Sequence, residues 1–383
     1  MTMKQIFSLD KNIPVALYGA ATHSIKAVKR LYRFFIPSSV REKIWNIKSS
    51  VTSRAEKLYL FVFNKKQYSR KYEKPISLGK ENPGKTFCVI GYENDKFSSE
   101  QGVLSTWQAF SKQIVYALQK GYIPVVDLLN NYRPMLLDSY NKGRLNAWDL
   151  YFKQPQHDFP IESILKSKRV IFGNKGISLS KNFIWSNLPL SSLDCSVGQL
   201  LVLSSPLSDE ISDSVEEFVS GHFLDGDKVL GVSFRRSFER HHYFNSSLTP
   251  SGTHLVRATL ESLMQKIDKI LKTKQFTRIF LSVDDREAHD IMVERYSDRC
   301  FYIKRPLVHH FHNGAPIPLD NKADVLVEFN KRKDDIVLKG KEYLTEVGIL
   351  AKCHGFLSAG GTADLYAYLL NNNKYEYFEQ LGR

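Results

Sequence analysis

The sequence predicts an α/β protein with parallel sheets, built as one βα domain followed by another across a cleft and preceded by a basic helical arm. Three observations carry that expectation. Short apolar runs such as Phe87–Gly91, Val229–Phe234 and Arg278–Val283 stop abruptly at polar or charged residues, the pattern of buried parallel strands. Segments with apolar residues at helical spacing lie between those runs, giving the strand–helix–strand rhythm of βαβ units. The charge is also unevenly placed: residues 1–80 hold 17 Lys and Arg against 4 Asp and Glu, which is +13 of the net +14.

With 383 residues, 43% of them hydrophobic, the chain has ample material for two cores. The expected division is 1–80, 81–215 and 216–383. In the first part, residues 14–35 read as a strand, a turn and a basic helix without a GxGxxG pattern, and so as structural. Residues 36–63 interleave Ile44, Trp45, Ile47, Leu58, Leu60 and Phe61 with Arg41, Lys43, Lys48, Arg54 and Lys57. That pattern suits a helix lying in a membrane interface, or equally a helix packed on the body. Gly79–Lys85 is a turn-rich linker.

The first βα domain begins with a strand at Phe87–Gly91. A helix over 103–120 follows, presenting Leu104, Trp107, Phe110, Ile114 and Leu118 on one face, and then strands at 122–130 and 167–173. Residues 190–223 read as loop and helix leading into the second domain. There the expected order is strand 229–234, helix 255–272, strand 278–283, helix 286–296, strand 300–305, helix 340–351, strand 355–360 and helix 362–371.

Chemistry concentrates where these strands end, because parallel strands place ligand-binding residues just beyond their carboxyl ends. The run VLGVSF stops at Arg235 and Arg236, two planar, permanently charged forks suited to phosphate oxygens. A solvated basic loop is the alternative for so short a motif. The run GFLSAG ends at Gly360 and Gly361, where the backbone can approach a ligand closely, and Thr362 opens a helix whose free amides attract anions. An ordinary strand-to-helix turn would look the same. Asp284 and Asp285 close the run IFLSVDD, where at least one is expected to cap the following helix. His309, His310 and His312 lack zinc-ligand spacing and read as loop.

Four cysteines, Cys88, Cys195, Cys300 and Cys353, show no CxxC spacing, which points to a reducing compartment. No segment has the apolar length of a membrane span or the pattern of a signal peptide, so a cytoplasmic protein is expected. Its nearly neutral body disfavours nucleic acid as a partner. The arm, residues 1–75, suits the anionic inner face of a cell membrane, held there peripherally.

The segments VSFRRS, IFLSVDD and EVGILAKCHGFLSAGGTADLYAYLL resemble three short motifs of the fucosyltransferase superfamily, which includes nodulation, core α-1,6- and protein O-fucosyltransferases. FCVIGYENDKFSSEQGVLSTWQAFSKQIVYALQKGYIPVVD, NAWDLYF and KYEYFEQLG are similar to bacterial polysaccharide-biosynthesis proteins of this kind. The resemblance spans about residues 85–383. It implies the GT-B architecture of two Rossmann-like domains, with 81–215 receiving the acceptor and 216–383 the nucleotide sugar. It further implies an inverting transfer from GDP-fucose to a cell-surface polysaccharide or lipid-linked glycan, with no metal or other cofactor.

Position by position, Arg235 and Arg236 match the family's HxRR arginines, which bind and activate the donor diphosphate, and Ser233 stands where the family has histidine. Glu346 falls at an aspartate that accepts guanine N–H groups. Gly361 and Thr362, preceded by Gly360, occupy a Ser-Ser pair near the phosphates. Asp284 and Asp285 match the TDD carboxylates, with a structural and donor-positioning role. Candidates for the base that takes the acceptor's proton are Glu239 and His241, then His242, Glu93 and Asp95. Another nucleotide sugar as donor, or a membrane-associated nucleotide-binding scaffold without catalysis, are the competing readings. The arginine pair also leads to the expectation that Arg236→Ala would remove most activity without disturbing the fold.

Overall fold

The computed structural model describes residues 57, 64–66, 69, 73–91, 102–131, 133, 135–156, 158–173, 195–236, 258–317 and 335–381. The strand and helices expected within residues 14–63 lie outside these, apart from Lys57. The chain divides into two units, Met1–Tyr68 and Ser69–Arg383, and everything below concerns the second.

In that unit the chain forms β1 (Phe87–Ile90), α1 (Val103–Gln119), β2 (Ile123–Val126), α2 (Ile161–Ile164), β3 (Val170–Phe172), α3 (Cys195–Leu203) and α4 (Asp209–His222). It continues with β4 (Val229–Phe234), α5 (Leu260–Thr273), β5 (Arg278–Val283), α6 (Arg286–Tyr296), β6 (Cys300–Phe301), β7 (Phe311–His312) and β8 (Ala315–Pro316). Last come α7 (Ile336–Lys352), β9 (Gly355–Ser358), α8 (Thr362–Asn371) and β10 (Tyr377–Gln380). One parallel sheet has the order β2-β1-β3 and a second β10-β9-β4-β5-β6, while β7 and β8 make a small antiparallel pair.

β4 sits inside the larger sheet, paired in parallel with β9 on one side and β5 on the other, and all six of its residues are buried. Burial on both faces explains why its sequence is apolar at every position but Ser233. Side chains alternate between faces along a strand. Leu230, Val232 and Phe234 join the core beneath α5 and α6, with Leu263, Ile267, Ile270 and Met292. Val229 belongs to the opposite core with Leu350, Cys353 and Phe356, and a Cβ on Gly231 would meet Leu350 and Cys353 there. This second core runs on into α1 and the smaller sheet, including Cys88, Trp107, Ile114 and Trp148. Trp107 links the layers: its Nε1 donates to Ser205 Oγ at 2.8 Å, and its ring meets Tyr366 of α8 edge-on at 4.6 Å.

Several expected elements differ in extent from the observed ones. On α1, Leu104, Trp107, Phe110 and Ile114 are buried as expected, but Leu118 is exposed, because the stripe turns towards Val115 and Ala117 in the last turn. The helix expected from 255 begins at Leu260; Thr259 is extended, and its side chain accepts from the Ser262 amide, a cap that stops the helix from propagating backwards. The strand expected over 300–305 pairs only through Cys300 and Phe301, which frees the following residues for the site. Residues 190–223 hold two helices, α3 and α4, and the helix expected over 340–351 starts earlier, at Ile336, capped by Asp335. Among the described residues no helix is long and apolar enough to cross a membrane, and Cys88, Cys300 and Cys353 are free thiols.

Candidate active site

The carboxyl ends of β4 and β5 and the start of α8 open onto a cavity of about 490 Å³. Its lining combines Ser233, Arg235, Ser282 and Asp284 from the ends of β4 and β5, Arg305 from the segment after β6, Lys339, Glu342 and Tyr343 from α7, Ala363 from α8, and Gly102 and Val103 at the start of α1. The cavity therefore receives residues from both βα halves of the unit. Basic, acidic, hydroxyl and aromatic groups converge there on an otherwise apolar surface, the make-up of a small-molecule site.

The alternation that organises β4 continues past its end and separates the two arginines. Arg235 follows Ser233 to the α7 side, lines the cavity, and lies over the Tyr343 ring at 4.9 Å. It forms no ion pair with any described residue. Arg236 follows Phe234 to the α6 side and is buried. Its Nη1 donates to Asp285 Oδ1 at 3.0 Å and Glu287 Oε1 at 3.1 Å, and the guanidinium lies 3.8 Å from the Phe311 ring centre. Arg236 thus faces protein carboxylates, while Arg235 faces the cavity.

The two aspartates are separated in the same way. Asp285 is fully buried and caps α6: its Oδ1 accepts from the Ala288 amide at 2.9 Å, and its Oδ2 from the amides of His310 and Phe311. This meets the expectation that one aspartate caps the helix. Asp284 lines the cavity, with Oδ1 accepting from the Arg236 amide at 2.9 Å and Oδ2 lying 3.6 Å from His310 Nε2. Burial pushes its carboxyl up, but the hydrogen bond and charge of His310, the charge of Arg235 and the Arg236 amide outweigh this and hold it below the usual range.

Glu346, on α7, is buried with both oxygens engaged. Oε1 accepts from Arg305 Nε at 2.6 Å, and Oε2 from Arg305 Nη2 and Ser282 Oγ, both at 3.0 Å. Burial works against the Arg305 charge, yet the charge and hydrogen bonds of Glu346 raise its pKa overall. The side chain that reaches the cavity at this point is Arg305, backed by Glu346.

At the end of β9, Gly360 and Gly361 have φ of 93° and 128°, conformations that side chains with a Cβ rarely adopt. This turn starts α8 without a side-chain cap. The Thr362 and Ala363 amides make no hydrogen bond among the described residues, and Ala363 lines the cavity. The Thr362 hydroxyl lies 3.5 Å from Gln108 Oε1 on α1, at the edge of hydrogen-bonding range. The Gly360 amide is occupied internally, donating to Asp364 Oδ2 at 2.8 Å.

The structure thus brings Ser233, Arg235, Asp284 and the start of α8 to one cavity, and sets Arg236, Asp285 and Glu346 behind it as supports. Glu239, His241, His242, Glu93 and Asp95 lie outside the described residues. Sequence reasoning missed Arg305, placed inside an expected strand, although the Pro306 that follows it was a signal against continuing a ladder. It also missed His310, buried beside Asp284 and not in an open loop, and Asp364, buried in the first turn of α8.

No family model matches the chain, and no curated protein does. Solved structures do. The NodZ α-1,6-fucosyltransferase soaked with GDP-fucose is 14% identical, with a TM-score of 0.44, covering 75% of this chain and 93% of its own. The fucosyltransferase NodZ from Bradyrhizobium is 16% identical, with a TM-score of 0.41 and the same coverage. POFUT1 in complex with GDP-fucose is 14% identical with a TM-score of 0.29, covering 78% of this chain and 74% of its own.

Proposed function

We propose that the chain is an inverting glycosyltransferase that moves a sugar, fucose from GDP-fucose in the leading reading, onto a cell-surface polysaccharide or lipid-linked glycan. One observation carries the reading. Arg235 at the end of β4, which forms no ion pair among the described residues, and Ala363 at the start of α8, beyond the neighbouring β9, line a single cavity. Such a pair suits a diphosphate, which accepts hydrogen bonds from guanidinium and amide alike.

In this mechanism the acceptor hydroxyl attacks the anomeric carbon, and the bond from that carbon to the diphosphate oxygen breaks. Inversion follows from the single displacement. The hydroxyl proton passes to Glu239 or His241, which follow the arginines, and the electron pair leaves with the nucleoside diphosphate. Arg235 and the α8 amides stabilise the charge that develops there, so the reading invokes no metal or other cofactor. Arg236 and Asp285 brace the turn that presents Arg235. The same reading takes the two sheets as GT-B halves, with 81–215 receiving the acceptor, and takes residues 1–75 as the contact with an anionic inner membrane face.

The test is release of GDP from GDP-fucose in the presence of extracted glycan, by the wild type and by Arg235→Ala. Release by the wild type alone supports the reading, and equal release by both refutes it. Glu346 favours a second possibility, a donor with a different base, because Arg305 and Ser282 already occupy the carboxylate expected at guanine. A thermal-shift panel of GDP, UDP, CMP and ADP separates the two, since a ligand of the folded state raises its stability by mass action. Stabilisation by UDP or CMP without GDP would select the second.

A further inference from the structure

We propose that Asp364 is the positioning residue of the donor-phosphate end of the cavity: its carboxylate clasps Ser233, Ser358 and Gly360 and so fixes the start of α8 beside Arg235. The inference rests on the reading of the cavity as a nucleoside-diphosphate site and adds a residue that does not itself line it.

Ser233 and Ser358 stand opposite each other in the β4–β9 ladder. Their hydroxyls donate to the two oxygens of Asp364, Ser233 Oγ to Oδ1 at 2.6 Å and Ser358 Oγ to Oδ2 at 2.5 Å. The Gly360 amide also donates to Oδ2, at 2.8 Å. Three donors thus reach one carboxylate from the end of β4, the end of β9 and the glycine turn. Asp364 is 1% exposed, and a charge so buried is tolerated only with such compensation.

An acid in the first turn of a helix usually faces water and answers the helix dipole. Asp364 instead points back into the strand ends, towards a site where another anion is proposed to bind. Burial raises its pKa, against the hydroxyls of Ser233 and Ser358, the Arg235 charge and the Gly360 amide, so the carboxylate is kept at an electrostatic cost. What it supplies is geometry. Gly360 and Gly361 have the widest backbone freedom of any residues, and the Asp364–Gly360 bond holds their turn in the one conformation that starts α8 at the cavity.

The test uses the full-length chain with Asp364→Ala, Asp364→Asn and Ser358→Ala, titrated calorimetrically with GDP and separately with inorganic pyrophosphate. Circular dichroism and thermal unfolding report on the fold. Asp364→Ala is expected to weaken both ligands about 10- to 100-fold while keeping native dichroism, the effect of misplacing donors to a charged group. Asp364→Asn, which can still accept from Gly360 and pair with Ser233, should stay within about threefold of the wild type. A merely structural role would lower the unfolding temperature of Asp364→Ala and leave its ligand affinities unchanged, and that result overturns the proposal. Should Asp364→Ala fail to fold, Ser358→Ala decides: about threefold or greater weakening of pyrophosphate supports the clasp, and wild-type affinity refutes it. A wild type that binds neither ligand removes the donor reading itself, whereas equal, tight binding by wild type and Asp364→Ala removes only this inference.

Discussion

Replacing Arg236 by alanine should destabilise the fold, whereas the same change at Arg235 should leave stability nearly untouched. The Arg236 side chain is 6% exposed and that of Asp285 0% exposed, and they are joined at 3.0 Å. Removing one partner of a buried ion pair typically costs about 3–5 kcal/mol, because the other charge stays buried without its counter-ion. Asp285 keeps three amide donors, from Ala288, His310 and Phe311, which places the loss at the lower end, about 3 kcal/mol. Losing the contact with the Phe311 ring adds about 1 kcal/mol. Arg235 is half-buried and has no ion pair among the described residues, so Arg235→Ala should stay within about 0.5 kcal/mol of the wild type. Urea unfolding followed by fluorescence measures both variants. A loss below about 1 kcal/mol for Arg236→Ala would show that Arg236 is not the buried support described here. The expectation from sequence alone, an intact fold with lost activity, is thereby moved from Arg236 to Arg235.

Gly361→Ala must place a Cβ at φ 128°, and should cost about 1–3 kcal/mol in thermal unfolding while weakening nucleotide binding through a displaced α8. Trp107→Phe removes the donor to Ser205 Oγ and part of a fully buried ring, and should lower urea stability by about 1–3 kcal/mol. Asp284 has a depressed pKa, so the stability it contributes is present above the unfolded carboxylate value of about 3.9 and is lost as pH falls through the lower folded value. Asp284→Asn should therefore flatten the acid limb of the stability–pH curve below about pH 4, and an unchanged limb would count against the His310 contact and the influence of the Arg235 charge. Cys88, pushed up to about 12 chiefly by burial, should resist a thiol reagent in the native protein and react only on unfolding.

The order of strands and helices was readable because β4, β5 and β9 are mostly apolar and end in residues that cannot continue a buried strand. The convergence of Arg235 and the glycine turn was readable for the same reason, since neighbouring strand ends share one edge of the sheet. The division of labour between Arg235 and Arg236 was not. It depends on strand parity, which determines that Arg236 meets Asp285 and Glu287 on the α6 side while Arg235 meets Tyr343 on the α7 side. The engagement of Glu346 by Arg305 was equally hidden, because it joins residues 41 positions apart through a turn whose course the local sequence does not determine. Edge strand β10 was missed: its residues are only half-buried, so they carry no apolar run to mark it.

Calorimetric titration of GDP into the wild type and Arg235→Ala, both verified as folded by circular dichroism, tests whether the diphosphate sits at the end of β4. The wild type should bind saturably and one-to-one, and Arg235→Ala about 10- to 100-fold more weakly, the effect of losing a charge-assisted contact to the diphosphate. Equal affinity in the two proteins would mean that the diphosphate does not sit at the end of β4, and would contradict the account at its centre.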